Sequence, residues 1–354
     1  MRYLITGGAG FIGSHLTDAL LARGDAVVVL DDFSTGRYEN LGALRAGDGR
    51  LEVVEGCVTN APLVGKLIDD ADVCIHLASA VGVQLVVSEP LETLRRIVRG
   101  SDTVISAAAG SGVRLLYAST SEVYGKSDGA ALDEQSDRIL GSALKSRWSY
   151  AIAKSYGESL AYSYHRDRGA DTTIFRLFNT IGPRQCGTYG MVVPRLVGQA
   201  LRGEPVTVYG DGSQSRCFLH VADAVRAIAG LADTGPSGHA FNIGSPEPVT
   251  ILELAQRIIA RTGSQSQIAL VPYTEAYDDG FEELGRRRPD ISAITALLDW
   301  TPEHDLDRAL DDVIAAERTR IDRPRLEVAV LDRRPRASRR RGADVSALVT
   351  ETAA

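Results

Sequence analysis

Thr6-Gly7-Gly8-Ala9-Gly10-Phe11-Ile12-Gly13-Ser14-His15-Leu16 decides the fold. The stretch follows an apolar run at 3–6 and opens an amphipathic pattern, so a Gly-x-x-Gly-x-x-Gly series joins a strand to the start of a helix. Each glycine answers a separate requirement of a bound pyrophosphate. Gly7 permits the tight turn, Gly10 lets backbone approach the phosphates, and Gly13 lets helix pack on strand, while the first turn at Phe11 and Ile12 offers free N–H donors. Asp31, followed by Asp32, ends the second apolar run 18 residues beyond Gly13. A carboxylate there accepts hydrogen bonds from a ribose 2′-OH and repels a 2′-phosphate, so the pattern predicts NAD as cofactor rather than NADP.

Working outward, short apolar runs at 3–6, 26–30, 51–54, 73–77 and 114–118 alternate with helix-compatible stretches. A sixth run at 173–178 follows a helix predicted over 146–168. Buried runs alternating with helices indicate βαβ units, hence an α/β fold of Rossmann type, a doubly wound parallel sheet. After Gly182-Pro183 turn residues accumulate, at Tyr209-Gly210-Asp211-Gly212-Ser213 and Gly244-Ser245-Pro246, and a smaller C-terminal substrate-binding lobe is expected. Thr250-Ile251-Leu252-Glu253 reads as a capping box opening a helix over 251–261. The expected organisation is an NAD-binding domain over 1–182, a substrate lobe over 183–322 interwoven with it, and a mobile tail over 323–354.

Composition narrows the function classes. The 354 residues are 44% hydrophobic and 24% charged, with a net charge of -7, which excludes a disordered chain. Eight of the arginines lie in 323–341 against two acids, Glu327 and Asp332, so the chain before that tail is net acidic and a nucleic-acid groove is not expected. No membrane span or signal sequence is read, and a cytoplasmic protein is expected. Cys57, Cys74, Cys186 and Cys217 form no C-x-x-C pair, so no disulfide framework or metal site is expected. Only four lysines occur, Lys66, Lys126, Lys145 and Lys154.

One of them stands in Tyr150-Ala151-Ile152-Ala153-Lys154, which puts a phenol and an ammonium at i and i+4 on one helix face. Lowering a tyrosine from about pKa 10 to about 7 takes roughly 4 kcal/mol of phenolate stabilisation, which Lys154 and a cationic nicotinamide can supply. His76 and His220 are read as packed or hydrogen-bonded, His15 as packing near the phosphates, and Trp148 as either core or substrate loop.

These motifs resemble the extended short-chain dehydrogenase/reductases that act on nucleotide sugars. The resemblance runs over residues 1–318. It passes through Ser119-Thr120-Ser121-Glu122-Val123-Tyr124-Gly125, Tyr150 and Lys154, and Phe178-Asn179-Thr180-Ile181-Gly182-Pro183-Arg184. It continues through Tyr209-Gly210-Asp211-Gly212 to Arg216, then Arg286-Arg287-Arg288-Pro289-Asp290 and Asp299-Trp300-Thr301-Pro302. It departs at Gly56-Cys57-Val58, where the family carries an acidic residue near adenine. The resemblance implies that Thr120 bonds the sugar 4-OH, Tyr150 removes its proton, Lys154 tunes Tyr150, and NAD⁺ takes the C4 hydride. It also implies that Asn179, Arg216 and Arg287 hold sugar and diphosphate, with Ser121 at the substrate, and that the protein is a homodimer.

The reaction expected first is C4 epimerisation of a UDP-hexose or UDP-hexuronate, in which Arg195 or Arg147 would neutralise a uronate carboxylate. The alternative is UDP-glucuronate decarboxylation, since Lys145 to Tyr150, Arg216-Cys217-Phe218 and Arg287 also resemble the decarboxylase domain of bacterial lipid A modification. There Arg147 would bind substrate, Glu122 would act as base and Arg287 as acid. A catalytically silent NAD-binding protein is a third reading, against which Thr120, Tyr150 and Lys154 all stand.

Overall fold

The structure is a computed structural model that describes residues 1–42, 49–79, 90–127, 129–187, 191–276, 282 and 286–322. The basic segment expected over 323–354 lies outside the described residues. The strands are β1 (Arg2–Thr6), β2 (Ala26–Asp31), β3 (Leu51–Glu55), β4 (Val73–His76), β5 (Arg114–Thr120), β6 (Ala131–Leu132), β7 (Thr172–Leu177), β8 (Thr180–Ile181), β9 (Val206–Tyr209), β10 (Ser215–Cys217), β11 (Leu219–His220), β12 (His239–Ile243), β13 (Pro248–Thr250), β14 (Ile268–Val271) and β15 (Arg286–Pro289). The helices are α1 (Phe11–Ala22), α2 (Ala61–Asp69), α3 (Pro90–Ser111), α4 (Ser149–Arg168), α5 (Val192–Leu201), α6 (Val221–Thr234), α7 (Ile251–Thr262), α8 (Tyr273–Ala276), α9 (Ser292–Leu298) and α10 (Leu306–Asp322).

Seven strands pair in parallel in the order β3-β2-β1-β4-β5-β7-β12. The six runs read from the sequence all lie in this sheet. Alternation along each strand feeds two cores: Tyr3, Ile5, Val27 and Val29 pack with α1 and α6, while Leu4, Val28 and Leu30 pack with α2, α3 and α4. Helices therefore cover both faces. The order reverses at β1, between β2 and β4, and a crevice opens outside the carboxyl ends of the strands there.

The chain does not leave the sheet for good after residue 182. α6 returns to the first core and β12 adds the seventh strand, pairing with β7 from His239↔Thr173 to Ile243↔Leu177. The remaining elements build the second lobe, where α5, α7, α10 and β9 share a core that includes Leu196, Val208, Leu254 and Leu310. A separate four-stranded sheet pairs in the order β13-β10-β15-β6. The capping box is present in part: Thr250 Oγ1 accepts from Glu253 N at 3.1 Å, and the helix runs one residue past the predicted end.

Candidate active site

The turn after β1 is held by Gly7 N donating to the Leu30 carbonyl at 2.8 Å, and Gly7 takes φ +74°. A Cβ on Gly13 would lie 2.2 Å from the Gly7 carbonyl oxygen, so α1 is drawn against the turn as closely as backbone permits. Asp31, at the end of β2, accepts from Ala9 N and Phe33 N at 2.9 Å each, and its burial raises its pKa. His15 Nε2 meets the Pro183 carbonyl at 3.0 Å. The tight glycine turn, the helix N-terminus and the oriented carboxylate fit a dinucleotide. Gly56, Cys57 and Val58 line the same cleft.

That cleft, about 1470 Å³, is lined by Gly7, Gly10, Phe11, Ile12, Gly13 and Asp31 together with Thr120, Ser121, Glu122, Arg147, Tyr150, Lys154, Asn179, Arg195, Arg216 and Arg287. Residues scattered over most of the chain meet because the sheet collects strand ends at one edge. Thr120 ends β5 and its hydroxyl accepts from Glu122 N at 3.2 Å, capping a single 3-10 turn, Ser121–Tyr124. A second short turn, Ser146–Trp148, leads into α4 and carries Arg147, and β15 carries Arg287.

Glu122 lies between these two guanidiniums, 2.5 Å from Arg147 and 2.8 Å from Arg287. Burial opposes its charge, but Arg287 and Arg147 outweigh burial and hold the carboxyl well below the ordinary carboxylate range. Arg287 also donates to Ser121 Oγ at 3.3 Å and stands opposite Arg216 in the β10–β15 register. Burial depresses the Arg287 pKa, Arg216 and Arg147 add to this, and Glu122 opposes it. Asn179 Nδ2 donates to the Cys217 carbonyl at 3.0 Å.

Tyr150 opens α4 with its phenol against the hydroxyls of Ser79 and Thr120. Burial, and after it the Glu122 carboxylate, push that phenol above its ordinary pKa, offset in part by the two hydroxyls. Lys154, 2% exposed, donates to the Ala118 carbonyl at 3.0 Å and is pulled down to about 8 by burial. Tyr150 and Lys154 thus share one cleft, with Lys154 anchored to Ala118 of β5, but the expectation that Lys154 lowers the phenol is corrected: burial and the Glu122 carboxylate hold it above its ordinary range. Arg195 donates to the Thr207 carbonyl at 2.9 Å and lies 4.4 Å from the Tyr209 ring centroid. Of the two cations expected at a uronate carboxylate, Arg147 is the one in the ion triad.

Sequence reading missed Ser79, although it sits just beyond β4 at the same carboxyl edge where the switch-point rule looks for ligands. It also missed Glu282, which accepts from Trp148 Nε1 at 3.3 Å and pairs with Lys126 at 2.6 Å and Lys145 at 3.3 Å. No local motif announces that contact. Among the described residues no cluster of His, Cys, Asp or Glu suits a metal, and no helix is long and apolar enough to cross a membrane.

Comparison with known proteins agrees with this arrangement. Residues 3–244 match the model of the NAD dependent epimerase/dehydratase family. The chain is 38% identical over 314 residues to the UDP-N-acetyl-alpha-D-glucosaminuronate decarboxylase of Bacillus cytotoxicus, covering 88% of this chain and 96% of that one. It is 36% identical to UDP-glucuronic acid decarboxylase 1 of Arabidopsis thaliana over 91% of this chain and 71% of the relative. Among solved structures, UDP-glucuronic acid 4-epimerase from Bacillus cereus, in complex with UDP-glucuronic acid and NAD, superposes with a TM-score of 0.81 at 28% identity, covering 90% of this chain and 99% of that one. With its glycine turn, its Tyr150 and Lys154 and a match over most of its length, the chain belongs to the NAD-dependent epimerase/dehydratase family of extended short-chain dehydrogenase/reductases, and its cofactor is NAD.

Proposed function

We propose that the protein is a UDP-uronate decarboxylase, acting on UDP-glucuronate or its 2-acetamido counterpart. The observation that carries this reading is the Arg147–Glu122–Arg287 triad in the wall of the cleft that also holds Tyr150. The named relatives at 36 to 38% identity support it. Epimerisation, ranked first from sequence, requires the 4-keto sugar to turn over inside the site. A fixed cluster of three charges anchoring the uronate end works against that rotation.

Residues of the glycine turn and Asp31 would hold NAD, which when bound accepts the C4 hydride and later returns it. Thr120 would hold the C4 oxygen while Tyr150 takes its proton, and the C4 ketone makes the sugar a β-keto acid. The electrons of the C5–C6 bond then pass into the C4 carbonyl as CO₂ leaves, and the hydroxyls of Tyr150 and Thr120 stabilise the resulting enolate oxygen. Glu122 stays ionised, so it offsets the two guanidiniums and leaves the substrate carboxylate incompletely neutralised, which favours its loss. Arg287, its pKa depressed by burial, would supply the proton that C5 takes up once CO₂ has left.

Incubation with UDP-glucuronate and NAD tests the reading, with products identified by mass and NMR. A product lighter by one CO₂ is expected. Unchanged mass with inverted C4 would overturn it in favour of the epimerase.

A further inference from the structure

The ion triad joins three separate segments. The Ser121–Tyr124 turn bears Glu122, the Ser146–Trp148 turn that leads into α4 bears Arg147, and β15 bears Arg287. Hydrogen bonds from all three converge on one side chain. Tyr124 is fully buried and closes the Glu122 turn. Its hydroxyl donates to Asn242 Oδ1 at 2.7 Å and accepts from Arg176 Nη1 at 2.8 Å. These directions are forced. A guanidinium can only donate, and the Asn242 amide already uses Nδ2 on two carbonyls, Leu132 at 2.8 Å and Asp290 at 3.1 Å, so its oxygen faces the phenol.

Each branch ends on an element of the triad. Arg176 of β7 donates through Nε at 2.9 Å and Nη2 at 2.8 Å to Glu158 of α4, the helix that continues the Arg147 turn. On the other side, the Asp290 carbonyl that Asn242 holds lies one residue beyond β15. Asp290 N also donates to the Leu132 carbonyl at 2.9 Å, and β6 pairs with β15 through Pro289↔Leu132. The strand of Arg287 is thereby registered against the same phenol as the turn of Glu122.

We propose that Tyr124 is a positioning residue: its hydroxyl, bonded to Arg176 and Asn242, sets the spacing of Arg147, Glu122 and Arg287. A neutral phenol suits this node because it gives one hydrogen bond and takes another. Burial raises the Tyr124 pKa and so keeps the donated proton in place, while the ring packs with Val123, Leu132 and Phe178. Tyr124→Phe retains the ring and removes both bonds. Arg176 Nη1 then keeps the Glu134 carbonyl at 2.9 Å, but Asn242 Oδ1 loses its phenol donor. A buried acceptor deprived of its donor is costly, and the cost is relieved by movement of the short Glu122 turn against the end of β15.

The inference rests on the proposed function in taking the triad as the group that acts on the uronate carboxylate. A crystal structure of Tyr124→Phe without substrate should show Glu122 and Arg287 more than about 4 Å apart, beyond ion-pair contact. Single-turnover consumption of UDP-glucuronate should slow by about ten-fold. In a Glu122→Gln background the same change should slow it by less than about two-fold, because the alignment it disturbs is already gone. A merely structural role would slow both backgrounds alike. Should Tyr124→Phe not fold, Tyr124→Phe/Asn242→Leu removes donor and acceptor together and is read in the same way. Glu122 and Arg287 still paired in the folded variant, or equal slowing in both backgrounds, overturns the inference. The crystal structure needs no substrate, so a wild-type enzyme that releases no CO₂ overturns the decarboxylase reading and leaves this result standing.

Discussion

At the scale of single residues, the duties proposed for Tyr150 and Glu122 are distinguishable by mutation. Tyr150→Phe deletes the proposed proton acceptor and leaves the glycine turn and Asp31 intact. Turnover should drop by about 100-fold or more, while calorimetric NAD affinity stays within about two-fold. A near-normal rate would remove Tyr150 from the role. Glu122→Gln has a different signature because it leaves Arg147 and Arg287 uncompensated. The two cations should then hold the substrate carboxylate tighter and stabilise it against loss. Single-turnover measurements should show C4 oxidation persisting, CO₂ release slowed by about 100-fold, and a KM that does not rise. Both residues were legible as chemistry: a Tyr-x-x-x-Lys spacing and a Thr-Ser-Glu after a strand. What the residue pattern did not reveal was that Glu122 is held in a triad, since Arg147 and Arg287 are 140 positions apart in the chain.

At the scale of elements, the β1–α1 junction is the most constrained piece of backbone. Gly13→Ala puts a methyl 2.2 Å from the Gly7 carbonyl oxygen, a contact that only movement of α1 can relieve. NAD affinity should fall by about ten-fold or more and the melting temperature should drop, read by calorimetry and thermal unfolding. Unchanged affinity would show that the turn tolerates a displaced helix. This junction was readable from sequence because strand, turn and helix are contiguous and each glycine has a local geometric cause. β12 was not read. His239-Ala240-Phe241-Asn242-Ile243 has no strong strand pattern of its own, and it becomes a strand by pairing with β7, some 66 residues earlier.

At the scale of the whole molecule, the outer face of α4 leaves Ile152 and Tyr156 exposed at i and i+4, with Tyr162 further along and Leu91 exposed on neighbouring α3. Large apolar side chains in a row on two packed helices fit a self-complementary contact. A homodimer through α3 and α4 is expected by light scattering at micromolar concentration. Ile152→Glu/Tyr156→Glu should give a monomer that retains its fold by circular dichroism. A wild-type monomer would refute the pairing.

By itself the sequence determined the parallel sheet, the glycine turn that joins its first strand to a helix, and NAD as the cofactor, and it offered Tyr150 and Lys154 as candidates for proton transfer. All are encoded by residues within one turn or one βαβ unit of each other, so local periodicity and spacing suffice. Tertiary structure decided the rest. It brought β12 back to the sheet and placed Ser79 against Tyr150. It gathered Arg147, Glu122 and Arg287 into one ion cluster, and it set Arg176 as the tie between the helix of Lys154 and the turn of Glu122. Such contacts join side chains tens to hundreds of residues apart. Their energies come from burial and charge pairing that exist only once the sheet has set the distances.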